Sequence, residues 1–284
     1  PGADAIVELI LANREQVRAV SFGRGPNARM IGRFKAAGIF CIPTVGAVKH
    51  ARKMVELGVD MVTVQGGEGG GHTGSVPTTV LLPQVLDAVN VPVIAAGGFS
   101  DGRGLAAALA YGAVGIAMGT RFLLTRESPV PDATKAAYLR AGTDDILVTT
   151  RLDGIPQRMV RTPLMDRIER AGPLAMWLRA FEAGVAMKRQ TGTSWGELIR
   201  SARGMTAHRE MPLKQALMAA TMPVLIRKAV VEGDVAHGVM ATGVVGGRID
   251  EIPSCEELVD RIMAEARGRI AALTGARLGA DRAA

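Results

Sequence analysis

The sequence predicts an α/β fold: a (β/α)8 barrel of which five C-terminal βα units are visible, followed by a helical insertion. Three observations carry this expectation. From residue 17 to 125 short, almost wholly apolar runs alternate with amphipathic segments, the pattern of parallel strands covered on their outer face by helices. The runs start near residues 17, 40, 60, 92 and 115, a repeat of about 20–30 residues such as this barrel requires. The last three end in the glycine-bearing stretches 64–74, 93–104 and 117–122, at the strand ends where barrel enzymes keep their chemistry.

The elements follow in order. Residues 17–22 are a short β-branched run, and 28–37 are helical. A strand over 40–45 leads to a helix over 47–57, and a strand over 60–65 leads through a glycine-rich loop to a helix near 79–89. The run 92–96 is a strand ending in Gly97-Gly98, with its helix at 102–111, and 115–120 is the fifth strand. The rhythm stops after Thr125. Residues 126–238 read as helices (132–141, 173–183, 194–203 and 212–220) with an extended pair around 146–150 and 158–161, an insertion expected to lie over one end of the barrel. Ser254-Cys255-Glu256-Glu257 after Pro253 is a capping box. Leu258, Ile262, Ala266, Ile270 and Leu273 then recur at helical spacing, with Gly275 as the stop. The organisation expected is therefore five βα units over 1–125, a mainly helical insertion over 126–238, and a return segment with a terminal helix over 239–284. Five units do not close an eight-unit barrel, and an open sheet would expose two parallel edges. The missing three units, about 75 residues at this repeat length, are expected upstream of Pro1, in a longer protein.

Composition narrows the function. The 284 residues are 48% hydrophobic and 21% charged, with an excess of 34 basic over 27 acidic side chains, a net +7. That excess favours a small anionic substrate, but the arginines are scattered, so no nucleic-acid partner is expected. No apolar run is long enough to span a bilayer and nothing resembles a signal peptide. Cys41, in an apolar stretch, reads as a buried small hydrophobe, and Cys255 is distant from it. Two such cysteines form no disulfide or metal framework and suit a reducing cytoplasm. No metal-ligand spacing is present, so no metal is expected. The oligomeric state is open, a homo-oligomer included.

Three segments carry the chemistry. In residues 64–74, VQGGEGGGHTG, six of eleven are glycine, so backbone amides can approach a flat ring or an anion, and His72 stands among them. In residues 93–104, VIAAGGFSDGRG, and in Ala117-Met118-Gly119-Thr120-Arg121-Phe122, a strand again ends in glycine. Amides at such turns bind phosphate, and in barrels that site follows the last two strands. Glu68 is placed to pair with His72 or to be solvated. Lys49 and His50 open a helix and are expected to face outward, and His208 and His237 stand alone.

Taken together, Gln-Gly-x-Glu-x-Gly-Gly-His-x-Gly, Ala-Ala-Gly-Gly-x-x-Asp-Gly-Arg-Gly and Met-Gly-Thr-Arg-Phe resemble the nitronate monooxygenase (2-nitropropane dioxygenase) family over roughly residues 17–125. The resemblance implies an FMN-binding barrel. It implies flavin contacts from Gln65, Gly70 and Gly71, phosphate contacts around Gly97, Gly98, Gly119 and Thr120, neighbouring main-chain contacts from Ala117 and Met118, and an active-site histidine at His72. Ala117 stands where the family often has Gln, and no residue here matches the flavin contacts of the family's first strands, an Asn included. The activity implied is oxidation of nitronates to carbonyl compounds and nitrite with O2. His72 would orient the anion or take a proton, and an imidazole ordinarily titrates at about pH 6.5.

The insertion and Gly243-Val244-Val245-Gly246-Gly247 are similar to a branch containing flavin reductases of coenzyme A thioesters in steroid-ring breakdown. The alternative activity is therefore reduction or dehydrogenation of an acyl-CoA, with Arg121, Arg126, Arg151, Arg158 and Arg161 as candidates for its phosphates. A flavin-binding protein without activity is a third reading. The inosine-monophosphate dehydrogenase type shares the Gly-Gly turn but needs a nucleophilic loop cysteine, which neither Cys41 nor Cys255 supplies.

Overall fold

A computed structural model of the protein describes residues 3–23, 28–172 and 213–275. In chain order its elements are α1 (Ala3–Ala12), β1 (Ala19–Phe22), α2 (Ala28–Ala36), β2 (Phe40–Val45), α3 (Val48–Glu56), β3 (Val62–Gln65), β4 (Gly71–His72), α4 (Thr78–Leu86), β5 (Val93–Ala96), α5 (Gly102–Tyr111), β6 (Gly115–Ala117) and α6 (Thr120–Leu123). There follow α7 (Asp132–Arg140), β7 (Ile146–Thr149), β8 (Gln157–Val160), α8 (Pro163–Arg170), α9 (Leu213–Val230) and α10 (Cys255–Gly275). They form two compact units, one of Pro1–Gly69, Thr73–Met118 and Cys255–Ala284, the other of Gly70–His72 and Gly119–Ser254.

The first unit holds the five expected strands, with a helix after each of the first four. Its strands form an all-parallel sheet in the order β1-β2-β3-β5-β6. Among the described residues no pairing joins β1 to β6, so the five strands are present without closure. One face of the central strands is buried through Val62, Val64, Val93 and Ala95, all fully or almost fully enclosed, and the polar Thr63 between them is buried too. Ile31 and Phe34 of α2, Ala51 of α3, and Leu81, Leu82 and Val85 of α4 pack on them at helical spacing. Each large apolar side chain so buried contributes about 1.5–3 kcal/mol. At the edge, β1 alternates exposed Ala19 and Ser21 with buried Val20. Cys41 lies in the core as expected; burial pushes its thiol up, Asp60 adding to this.

The helix α5 matches its expected limits. Asp101 caps it, accepting the Gly104 amide at 3.2 Å, and left-handed Gly112 ends it. The long α10 crosses α5 at Gly102, where a Cβ would stand 2.5 Å from the Ile262 carbonyl oxygen; only glycine lets the two backbones touch. The apolar stripe read along α10 is shorter than its spacing implies. Leu258, Ile262 and Ala266 are buried, but Ile270 and Leu273 are exposed, because their side chains lie past the crossing.

The second unit has an antiparallel sheet in the order β4-β8-β7, whose β7–β8 hairpin answers to the extended pair read in the sequence. Two clusters fill this unit: Leu152, Met159, Met165, Ile168, Met222 and Val239, and beside them Leu124, Tyr138, Val160, Ala229, Met240 and Ile249. Methionine replaces aromatics here, its unbranched thioether filling irregular space. Two limits differ from expectation. The run 115–120 is extended only to Ala117, with Thr120 opening α6, and α9 continues ten residues beyond Ala220, through Pro223, to Val230. The helices expected over 173–183 and 194–203, and His208, lie outside the described residues.

Candidate active site

The first unit aligns three strand ends. Register pairs Gln65 with Ala96 and Ala96 with Ala117, so Gln65, Ala96 and Ala117 form one row at the carboxyl rim. Gly97, Gly98 and Met118 are the next residues out. Gly97 and Gly98 are left-handed, with φ of 92° and 85°, a conformation glycine adopts without steric cost. A Cβ on Gly97 would approach the Gly66 carbonyl oxygen and the Gly69 amide nitrogen to 3.1 Å. The Gln65 side chain folds under the loop against Gly69. Gln65, small residues and a left-handed glycine pair therefore line this rim.

The α5 terminus contributes less than a strand-to-helix turn usually does. Its Gly104 amide is taken by Asp101, and the Gly102 amide donates to Glu265 Oε2 at 2.8 Å. Glu68 is likewise engaged: its Oε2 accepts the Thr78 amide at 2.8 Å and the Thr78 hydroxyl at 2.6 Å, so it anchors the start of α4. Lys49 and His50 are exposed, as expected.

The second unit holds the other sequence-predicted residues. Gly71 and His72 form β4, paired with Arg158 and Gln157 of β8. His72 Nε2 lies 2.6 Å from Asp153 Oδ2; the His72 side chain is 39% exposed and that of Asp153 only 8%. Burial works to raise the Asp153 carboxyl. The Gln157 amide, the His72 ring and the Ile155 N–H outweigh it and hold the group below the usual aspartate range. Asp153 escaped the sequence reading, since nothing in its spacing links it to residue 72.

Gly70 presses on the segment Thr242–Gly243, a Cβ there falling 2.5 Å from the Thr242 carbonyl carbon, and the Gly243 amide donates to Thr120 Oγ1 at 2.9 Å. Thr120, accepting from Gly243, keeps its hydroxyl proton for another acceptor, and the Cβ direction of neighbouring Gly119 is open. Of the five candidate arginines, Arg121 is buried and donates to the Leu124 and Glu251 carbonyls at 2.7 and 2.8 Å, which removes it as a phosphate ligand. Arg151 and Arg161 are ion-paired with Glu169 and Asp166, and Arg126 is exposed. His237 is exposed and bonds Asp234 at 2.9 Å. Among the described residues no cluster could hold a metal ion, and no helix is long and apolar enough to cross a membrane.

The family model described as nitronate monooxygenase matches residues 3–265. The chain belongs to the nitronate monooxygenase family. It is thereby a flavin-dependent oxidoreductase. Its relatives include (3aS,4S,5R,7aS)-5-hydroxy-7a-methyl-1-oxo-octahydro-1H-indene-4-carboxyl-CoA dehydrogenases, one from Rhodococcus jostii, 48% identical over 95% of this chain and 77% of the relative. The other, from Mycobacterium tuberculosis, is 49% identical over 93% and 75%. A probable nitronate monooxygenase of Staphylococcus aureus is 33% identical over 57% of this chain and 48% of its own length. Among solved structures, FabK from Thermotoga maritima superposes with a TM-score of 0.73 at 34% identity, covering 97% of this chain and 75% of FabK. The nitroalkane oxidase from Streptomyces ansochromogenes gives 0.72 at 27% identity, over 96% and 70%.

Proposed function

We propose that this member of the nitronate monooxygenase family is an FMN-dependent dehydrogenase of a coenzyme A thioester. One observation carries the choice: similarity to the two CoA-thioester dehydrogenases runs through the insertion as well as the parallel sheet, whereas that to the staphylococcal nitronate monooxygenase covers little more than half the chain. Substrate choice in barrel enzymes resides in such added segments.

In this reading Gln65, Gly70, Gly71, Ala117 and Met118 hold the ring of FMN, and Gly97, Gly98, Gly119 and Thr120 its phosphate, with the Thr120 hydroxyl as donor. Two-electron oxidation removes one hydrogen from substrate carbon as hydride and another as a proton. The flavin, when bound, supplies the hydride acceptor. His72 takes the proton, as a general base on a held element. Five βα units over 1–125 provide the cofactor surface, the insertion over 126–238 recognises the thioester, and 239–284 returns the chain to its terminal helix. The protein works in a reducing cytoplasm, in keeping with two free cysteines.

A second reading, nitronate oxidation, is favoured by the family model itself; His72 would then orient the nitronate anion. Anaerobic titration of the FMN-loaded protein separates the two. Bleaching by the hydroxy-indene carboxyl-CoA named for the relatives, and not by propyl-2-nitronate, is the expected result. Bleaching by the nitronate alone would transfer the assignment, and bleaching by neither would leave a flavin-binding protein without this chemistry.

A further inference from the structure

We propose that the exposed flank of α10 is a self-association surface, on which a second copy of this chain lays its own α10 antiparallel across a two-fold axis near Met263. The surface lies wholly within the first unit and does not depend on the proposed chemistry. Its first support is a second apolar stripe on the helix. Leu258, Ile262 and Ala266 are buried and form the face turned toward the protein. Beside them Val259, Met263, Ile270 and Leu273 are 44%, 39%, 38% and 64% exposed. Exposed apolar side chains scattered singly are ordinary, but these four are not scattered. With Ala266 among them they recur at intervals of four, three, four and three residues, the heptad spacing of helices that pair with helices. At 3.6 residues per turn the four fall within an arc of about 80°.

The second support is charge, which selects both the occupant and its direction. Asp260 and Arg267 lie along the border of that stripe away from the buried face, two turns apart on the same side of the helix. Both are exposed, and among the described residues neither has an ion-pair partner. Two such helices laid antiparallel about Met263 and Ala264 bring Asp260 of each beside Arg267 of the other, and Val259 of each near Ile270 of the other. A parallel pairing would instead set Asp260 against Asp260 and Arg267 against Arg267, which is unfavourable. The stripe and its border therefore complement themselves, and a two-fold contact makes each favourable pair twice. One helix face per partner is at the small end of specific interfaces, so the association is expected to be weak and concentration-dependent.

Sedimentation velocity of the full chain at low salt, across about 1–100 μM, where modest interfaces associate, tests this. The native protein should pass from monomer to dimer within that range. Met263→Glu should weaken the dimer at least tenfold, with an unchanged thermal melt in dilute solution because the side chain is already partly in water. Asp260→Arg, a surface change that leaves the apolar stripe intact, should also weaken it at least tenfold by facing Arg267 with a like charge. Adding Arg267→Asp to Asp260→Arg should restore the native association, since the swapped charges again oppose one another only in the antiparallel register. A chain that stays monomeric throughout, or a dimer indifferent to Met263→Glu, would overturn the proposal. So would a double variant no stronger than Asp260→Arg alone, which would place the two charges elsewhere than opposite each other. A monomer whose Met263 resists oxidation by peroxide would mean that other parts of the same chain cover the stripe, and would overturn it as well.

Discussion

At the residue scale the glycine-rich loop divides into two populations. Read as a sequence, its six glycines all serve close approach of a ligand. In the structure Gly66, Gly69 and Gly70 are packed against the protein itself: a Cβ would strike Thr78, Gln65 and Thr242 respectively. Spacing could not reveal this, because Thr78 and Thr242 reach the loop through tertiary packing. Gly97 combines both demands, a left-handed backbone and a 3.1 Å approach to Gly66 and Gly69. Gly97→Ala should therefore cost about 1–3 kcal/mol, the usual strain of such a conformation. By pushing the Gly66–Gly69 turn off the rim it should also weaken FMN at least tenfold. A thermal melt and an FMN fluorescence titration check both. Native values in each would mean that the rim tolerates a side chain, and that the amides of 97 and 98 are not where the cofactor binds.

At the element scale the parallel strands were legible because their apolar runs are long enough to show periodicity. The two-residue β4 was not. Its identity lies in pairing with β8, and two residues have no pattern. Likewise Pro223 suggests a helix stop, yet α9 passes through it. One polar tie between elements was equally invisible. Asp60, just before β3, accepts the Cys41 amide at 2.8 Å at the start of β2 and pairs with Lys35 near the end of α2. Burial works to raise its carboxyl, but Lys35 and the Cys41 amide together depress it. A carboxyl whose folded pKa lies below the unfolded value of about 3.9 stabilises the fold above that pH, and the contribution fades as pH falls through the folded value. Asp60→Ala should thus cost about 1.5–3 kcal/mol at pH 7, as for hydrogen bonds to a charged group. The gap to the native protein should narrow steadily below pH 4 in chemical-denaturation curves. A gap that stays constant to pH 2 would mean the ionised carboxylate contributes nothing.

At the scale of the whole molecule, charge is the property that sequence conveys best and residue-by-residue reading conveys worst. The net +7 is plain from composition, but which cations act is not. Arg121 is spent on backbone carbonyls, and Arg151 and Arg161 on neighbouring carboxylates. An arginine paired with a carboxylate adds no net field at a distance, so any attraction for a coenzyme A substrate is collective rather than owned by one side chain. Collective fields are screened: the Debye length falls from about 30 Å at 0.01 M salt to about 3 Å at 1 M. If the basic excess captures the thioester through its phosphates, KM for the CoA ester should rise about tenfold across that range while kcat holds. The matching pantetheine thioester, which lacks those phosphates, should show a KM indifferent to salt. The two series must be run on the same FMN-loaded protein, so that any salt-induced loss of cofactor lowers both rates equally. Parallel behaviour of the two esters would leave the positive excess a matter of solubility.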